Sequence, residues 1–313
     1  MKLKNILLTL MAIFLFSFFI LPWLIPVSHT GNVDIKSFPE SQYISIYGTN
    51  IHYRTWPSAN TNKSCGKVLL IHGFSGSTFS FRKLVPLLTR AGYSVTAVDL
   101  PAYGYSDRNI GDHTLPDPLL CLYLLLHLNK ETKDFSPWTL AGHSMGASVA
   151  GELAGAYPKI CRKLILIDGV PALRPGNAGT GGLLTTALFR RWTNIIGKWI
   201  IQESRVQKLL ESAYGQPPKP EDVFGYLTPL KIPNTPDAIL KKFRYGEKMG
   251  FHPLPDTLSV TLIWGEKDTW IPPSVGKRFL GERPQSKALW IPEAGHCPME
   301  TEAEKCMEGF VCQ

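Results

Sequence analysis

Short apolar runs separated by stretches of helical periodicity fill most of this chain. YISI (43–46), IHYRTW (51–56), KVLLI (67–71), YSVTAVD (93–99), WTLAG (138–142), KLILID (163–168), SVTLIW (259–264) and KALWI (287–291) have the length and β-branched content of strands. The first two predict a hairpin turning at Tyr47-Gly48-Thr49-Asn50. Between the later runs, residues 79–91, 117–129 and 145–157 carry apolar side chains at helical spacing. Such alternation predicts an α/β architecture, a mainly parallel eight-stranded sheet with helices on both faces and right-handed crossovers.

Two regions break the alternation. After Lys2 and Lys4, residues Ile6 to Val27 carry no charge across 22 positions, a length that suits a membrane-spanning helix better than the apolar part of a signal peptide. No clear small-x-small cleavage site precedes Asp34, so residues 1–28 are expected to remain as an anchor, with a cleaved signal peptide as the alternative. The two lysines favour a cytoplasmic N-terminus, which puts the rest of the chain in a periplasmic, luminal or extracellular space. It would be secreted if the segment were cleaved.

The second break lies between Asp168 and Ser259, where a helical tract at 181–213, broken near Gly197, leads through GQPPKPE (215–221) to a second helical part at 236–245. A structureless loop of this length is uncommon in a compact domain. Residues 171–255 are therefore read as a mostly helical cap inserted after the sixth strand, dividing the core into 29–170 and 256–313. Leu183, Leu184, Leu188, Trp192, Ile195, Ile196, Trp199 and Ile200 give the cap an apolar face, for packing on the core or for contact with lipid.

Composition adds where charge and sulfur lie. With 44% apolar and 19% charged residues, 313 residues can bury a large core. Of the net charge of +8, the segment 171–255 supplies +6, from twelve Lys and Arg against six Asp and Glu, and Lys2 and Lys4 supply the rest. The segment contains no nucleic-acid module, so no nucleic-acid partner is expected; an anionic membrane surface fits its charge, against the plainer reading of a solvated helix face. Among six cysteines, Cys297 is placed to pair with Cys306 or Cys312, free thiols being the alternative, and no spacing matches a zinc site. Asn62-Lys63-Ser64 is a glycosylation sequon.

The chemistry concentrates in Gly142-His143-Ser144-Met145-Gly146, between the run WTLAG and a helix. At a sharp strand-to-helix turn the serine backbone is strained and its hydroxyl stands clear of the sheet, so bulky residues two places either side would collide with the neighbouring strand and helix. A serine needs a base, and the base an orienting group. Gly265-Glu266-Lys267-Asp268 follows one later run and Glu293-Ala294-Gly295-His296 another, giving the order Ser144, Asp268, His296. Glu266 and Glu293 are the other carboxylates nearby.

From about Ser41 to Gln313 the chain resembles α/β-hydrolase-fold serine hydrolases of the anchored or secreted esterase and monoacylglycerol-lipase kind. LLIHGFSGS (69–77), VDLPAYGYSDR (98–108), AGHSMGAS (141–148), WGEKDTWIP (264–272) and IPEAGHCPMETE (291–302) carry the resemblance. It implies Ser144 as nucleophile, His296 as general base and then acid, and Asp268 as orienting carboxylate. The backbone amides of Phe74 and Met145 would form the oxyanion hole, with His72 and Gly73 shaping its loop. Asp99 and Ser106 match a structural turn in which Gly104 keeps the second family glycine and Ala102 replaces the first, and His143 is expected to pack beside the nucleophile.

A serine nucleophile departs from epoxide hydrolases and haloalkane dehalogenases, which use aspartate. Ring-cleavage hydrolases usually show Pro-Gly where this chain has Phe74-Ser75, and proline iminopeptidases a Gly-Gly-Ser-Trp-Gly elbow. The expected reaction is hydrolysis of a lipidic or medium-chain carboxylic ester at a membrane surface through an acyl-enzyme, with no metal or organic cofactor. The alternatives are a C–C bond or amide hydrolase, or a binding protein that keeps the fold without the chemistry.

Overall fold

Alternate residues of the central strands bury on opposite faces of the sheet, which is why these strands read as unbroken apolar runs. The computed structural model describes residues 2–25, 38–60, 62–111, 113–171, 187–245 and 252–310. In it β3 (Gly66–Ile71) sends Leu69 and Ile71 to one face and Val68 and Leu70 to the other, and β6 (Cys161–Ile167) and β7 (Ser259–Gly265) do the same. With β1 (Ser41–Ile46), β2 (Thr49–Trp56), β4 (Tyr93–Val98), β5 (Trp138–His143) and β8 (Lys287–Ile291) they form one eight-stranded sheet in the order β1-β2-β4-β3-β5-β6-β7-β8.

β2 runs antiparallel to both its neighbours, and β3 to β8 are parallel. The hairpin turn is tighter than the expected four residues. Ile46 pairs with Thr49, and the intervening Tyr47 and Gly48 take φ values of 47° and 77°, as a type I′ turn requires. Helices α4 (Asp117–Thr132), α5 (Met145–Ala156) and α10 (Pro273–Glu282) cover one face, α3 (Leu84–Ala91) and α11 (Ala303–Met307) the other.

The apolar N-terminus is helical: α1 (Lys2–Leu15) and α2 (Leu21–Leu24) join through a π-helical turn at Phe16–Ile20. Its stretch Asn5–Leu24, with mean hydropathy 2.4, is long and apolar enough to cross a membrane. The end of the expected apolar segment, from residue 26, and the region searched for a cleavage site lie outside the described residues.

Between β6 and β7 lie α6 (Ala187–Ile200), α7 (Glu203–Tyr214), α8 (Pro220–Leu230) and α9 (Thr235–Tyr245). One expectation is refined and one corrected. The helical tract breaks just beyond Gly197, after Ile200; Gly197 itself is helical, and its missing side chain makes room for Pro236, whose Cβ would lie 2.7 Å from a Cβ there. The proline-rich stretch opens a helix: Pro220 takes a first-turn position where no N–H is missed, Asp222 accepts the Lys219 N–H at 3.1 Å, and Val223 and Leu227 bury one turn apart. Residues 181–186, with Leu183 and Leu184, and the side chain of Trp199 lie outside the described set. Of the remaining apolar face, Ile195 is buried, while Ile196 and Ile200 stay 50% and 54% exposed.

Buried and half-buried cations fasten these helices to the core. Arg82 bonds Asp222 of α8 and Glu300 of the core, and Glu300 also accepts the hydroxyls of Tyr214 and Tyr226. Arg108 donates to Pro229 O at 3.1 Å and Thr235 Oγ1 at 2.9 Å, and Lys242 donates to Asp117 and to Pro101 O. Lys242, counted above in the basic face, is therefore turned inward.

Of the two readings of Cys297, the free thiol holds against a pairing with Cys306, since both are free thiols in the same apolar layer; Cys312 lies outside the described residues. Cys65 is disulfide-bonded. Alkylation of the unfolded chain without reductant is expected to modify Cys121, Cys161, Cys297 and Cys306 and to spare Cys65, as peptide mass mapping would read directly.

Candidate active site

β5 ends at His143, and the chain then turns through Ser144 into α5. Ser144 sits at φ 52° and ψ −118°, a conformation that costs on the order of 1–3 kcal/mol for a residue with a side chain. Its N–H donates to Ile167 O of β6 at 2.9 Å, which holds the elbow in place. A Cβ at Gly142 would lie 2.6 Å from Ala147 N, and one at Gly146 would lie 2.6 Å from His72 O beyond the end of β3. Both flanking glycines are thus required by backbone approaching backbone.

The two later loops deliver their side chains to this elbow. His296, beyond β8, places Nε2 3.0 Å from Ser144 Oγ and Nδ1 2.7 Å from Asp268 Oδ2. Asp268, beyond β7, is buried, and its other oxygen accepts the backbone N–H groups of Trp270 at 2.8 Å and Ile271 at 3.0 Å. Glu293, the alternative carboxylate, pairs with Lys267 on the surface, and Glu266 is exposed. The structure therefore brings together Ser144, His296 and Asp268 in one hydrogen-bonded line.

Gly73 passes close over the serine: a Cβ there would stand 3.0 Å from Ser144 Cβ and 2.8 Å from His143 Nδ1. This places the loop carrying Phe74 against the same hydroxyl from which Met145 starts α5. His72 fixes the loop, with Nδ1–H donating to Gly73 O at 2.7 Å and Nε2 accepting the Leu100 N–H at 3.0 Å; burial pushes its imidazole down and keeps it neutral. His143 donates from Nε2 to His296 O at 2.7 Å, and burial, with His296 nearby, lowers its basicity well below the usual range. It positions the histidine loop.

Asp99 accepts the N–H of Thr78 at 2.6 Å and of Tyr105 at 2.7 Å, Ser106 Oγ binds Asp99 O, and Ala102 carries φ 74° where the family has glycine. The turn is structural, as expected.

Two residues of the site escaped sequence reasoning. Trp270 stacks on His296 with ring centroids 5.2 Å apart, is 40% exposed, and donates from Nε1 to Ser212 Oγ of α7 at 3.0 Å. Asp168, at the end of β6, is fully buried with its carboxyl beside that of Asp268. The signal for Asp168 was its place at a strand's carboxyl end, where ligands of open α/β sheets gather.

Residues 68–308 match the alpha/beta hydrolase family, and the chain belongs to it. YugF, an uncharacterized hydrolase of Bacillus subtilis, is 26% identical over 276 residues, covering 84% of this chain and 94% of its own. A pimeloyl-[acyl-carrier protein] methyl ester esterase of Neisseria meningitidis is 26% identical over 242 residues, covering 76% and 89%. The solved structure of a bacterial membrane phospholipase A has the same fold, with TM-score 0.60 and 20% identity over 99% of this chain and 96% of that one.

Gly146→Ala is expected to destabilise the protein by at least about 1–3 kcal/mol, since neither strand nor helix can yield to the methyl group. Gly281→Ala, in α10 with open space around it, is expected to be neutral or stabilising by about 0.4–1 kcal/mol. Thermal unfolding of the two variants side by side checks the contrast.

Proposed function

We propose that this member of the alpha/beta hydrolase family cleaves carboxylic esters through an acyl-enzyme, acting on lipidic or medium-chain acyl esters at a membrane surface. The observation that carries the reading is the continuous bond path from Ser144 Oγ to His296, at 3.0 Å, and on to Asp268, at 2.7 Å. Ser144 Oγ attacks the ester carbonyl carbon while His296 Nε2 takes its proton. Asp268, held by two backbone amides, keeps Nδ1–H of the imidazole directed at itself and stabilises the imidazolium. The amides of Phe74 and Met145, the latter at the positive end of α5, meet the oxyanion. Collapse expels the alcohol with the proton from His296, and water activated by the same imidazole releases the acid and restores Ser144.

Contacts at the N-terminus favour a lipid substrate. Arg191 of α6 donates to Pro22 O at 2.7 Å and Ile25 O at 3.0 Å, and Trp192 donates to Phe18 O at 2.9 Å with its ring beside that of Phe18. If Asn5–Leu24 crosses the bilayer, these bonds set α6 at the membrane surface, with Ile196 and Ile200 facing outward. The partners proposed are thus an ester substrate and the membrane, through the N-terminal helix and the basic residues of 171–255. The Cys65 disulfide fits an oxidising, extracytoplasmic compartment.

A fluorophosphonate probe is expected to label the full chain in detergent and to fail with Ser144→Ala, and turnover of p-nitrophenyl and monoacylglycerol esters should rise from short to medium acyl chains. Folded protein that stays unlabelled would return the chain to the class of binding proteins. Arg191→Ala should leave labelling intact while lowering turnover of esters embedded in anionic vesicles; a preference for short soluble esters with no vesicle affinity would remove the membrane part of the reading.

A further inference from the structure

A carboxyl group beside a carboxylate poses a question of proton placement. Asp168 Oδ1 accepts the Gly265 N–H at 2.9 Å, but Oδ2 is buried with no hydrogen-bond partner among the described residues that donates to it. The carboxyl of Asp268 lies beside it, within 4.8 Å. Asp268 is itself an acceptor, bonded by His296 and two amides. Two ionised carboxylates in contact within a dry site repel, and a buried acceptor facing an acceptor leaves both unsatisfied. One proton on Asp168 Oδ2 resolves both difficulties, because the oxygen then donates to Asp268.

Among the described residues, the thiols of Cys297 and Cys306, pushed up by burial, and the imidazole of His296 lie near Asp168. None of them supplies a fixed positive charge. Burial, reinforced by Asp268, raises the Asp168 carboxyl well above the usual range. One carboxylate oxygen each of Asp168 and Asp268 and a ring nitrogen of His296 all lie within 4.8 Å of one another, so Asp168 stands near the imidazole as well as near Asp268. Its backbone is tied into the sheet, with its N–H on Ile263 O at 2.9 Å, whereas Asp268 rides on a loop with the half-exposed Trp270.

We propose that Asp168 is a second carboxyl of the site, a positioning residue that braces Asp268 as a hydrogen-bond donor and takes its place as partner of His296 Nδ1–H when the charge on Asp268 is lost. This rests on the hydrolase reading for its consequence in rate, but its geometry is testable without turnover.

The test uses the full chain in detergent with Asp168→Asn, Asp268→Asn and the double variant. The wild type is expected to show a carboxylic-acid C=O infrared band at neutral pH that is missing from both single variants: from Asp168→Asn because the acid is gone, and from Asp268→Asn because Asp168 ionises. The low-field proton NMR resonance of His296 Nδ1–H should persist in Asp268→Asn and vanish in the double variant. Phosphonate labelling of Asp268→Asn should stay at least about tenfold faster than that of the double variant, which should approach the ~10⁴-fold loss seen when no carboxylate orients the imidazole.

Stability carries a sign as well. Folded Asp168 holds a proton that the unfolded chain releases above about pH 4, so its own contribution to stability falls as pH rises beyond that point. Asp168→Asn should therefore gain in Tm relative to wild type over the same range. A wild type and Asp168→Asn with identical infrared spectra would overturn the proposal, even if the Asp268→Asn variants failed to fold. Loss of the low-field proton in Asp268→Asn alone would do so too. If the wild type were never labelled, hydrolysis would be the reading that fails, and the infrared and NMR results would still decide the role of Asp168.

Discussion

The candidate site depends on one close approach: the first turn of α5 lies against the carbonyls at the end of β3, a distance that only a residue without a Cβ tolerates. Gly146 makes that contact with His72 O, and Gly142 makes the matching one with Ala147 N. Because helix and strand are pressed together, the intervening Ser144 has no relaxed conformation available and stands at positive φ. The cost is local, and it is offset by the parallel strands on either side, whose register is fixed by side chains buried on both faces. The same approach brings Gly73 and its loop over the hydroxyl. Strain, serine exposure and the nearness of the oxyanion loop are three results of a single packing constraint.

The helices between β6 and β7 belong to this arrangement and do more than cover it. Ala213 O, at the end of α7, accepts the His296 N–H at 2.7 Å, and Gly295 is needed because a Cβ there would lie 2.5 Å from that same carbonyl. Ser212 receives the indole N–H of Trp270, which lies on the imidazole. Two residues after Ser212, Tyr214 bonds Glu300, and Glu300 in turn anchors Arg82. Displacing α7 would therefore disturb the histidine as well as open the cleft. A segment that reads in sequence as an insertion is, in structure, one wall of the bond network.

What the sequence revealed and what it concealed divide along local and non-local interactions. The strands were legible because burial on both faces leaves an uninterrupted apolar run, and the order Ser144, Asp268, His296 was legible because each follows such a run directly. Helix α8 was hidden by its own start signal, since Pro217, Pro218 and Pro220 read as a break until Asp222 is seen capping the chain. Gly197 was taken for a breaker when its small size serves contact with Pro236. The inward turn of Lys242 onto Asp117, the seat of Arg191 on the N-terminal helix, and the meeting of Asp168 with Asp268 all join residues remote in sequence. No periodicity reports them.

The same chain shows why residue types and distances alone do not make a serine reactive. His52 Nδ1 lies 2.7 Å from Asp99 Oδ2 and its Nε2 lies 2.8 Å from Ser41 Oγ, so a second serine, histidine and aspartate stand in line with distances close to those at Ser144. Their setting differs. Ser41 begins β1 in ordinary extended pairing with Arg54, and Asp99 is also held by the amides of Thr78 and Tyr105. Those bonds staple the edge hairpin to the turn after β4, and Ser106 Oγ, accepting the His52 N–H, completes the staple. Ser144, by contrast, lies at a strand's carboxyl end, on a strained backbone, ahead of a helix N-terminus and beneath a neighbouring loop. The distinction between the two triplets lies in the backbone around the hydroxyl, which is where the glycines of the elbow act.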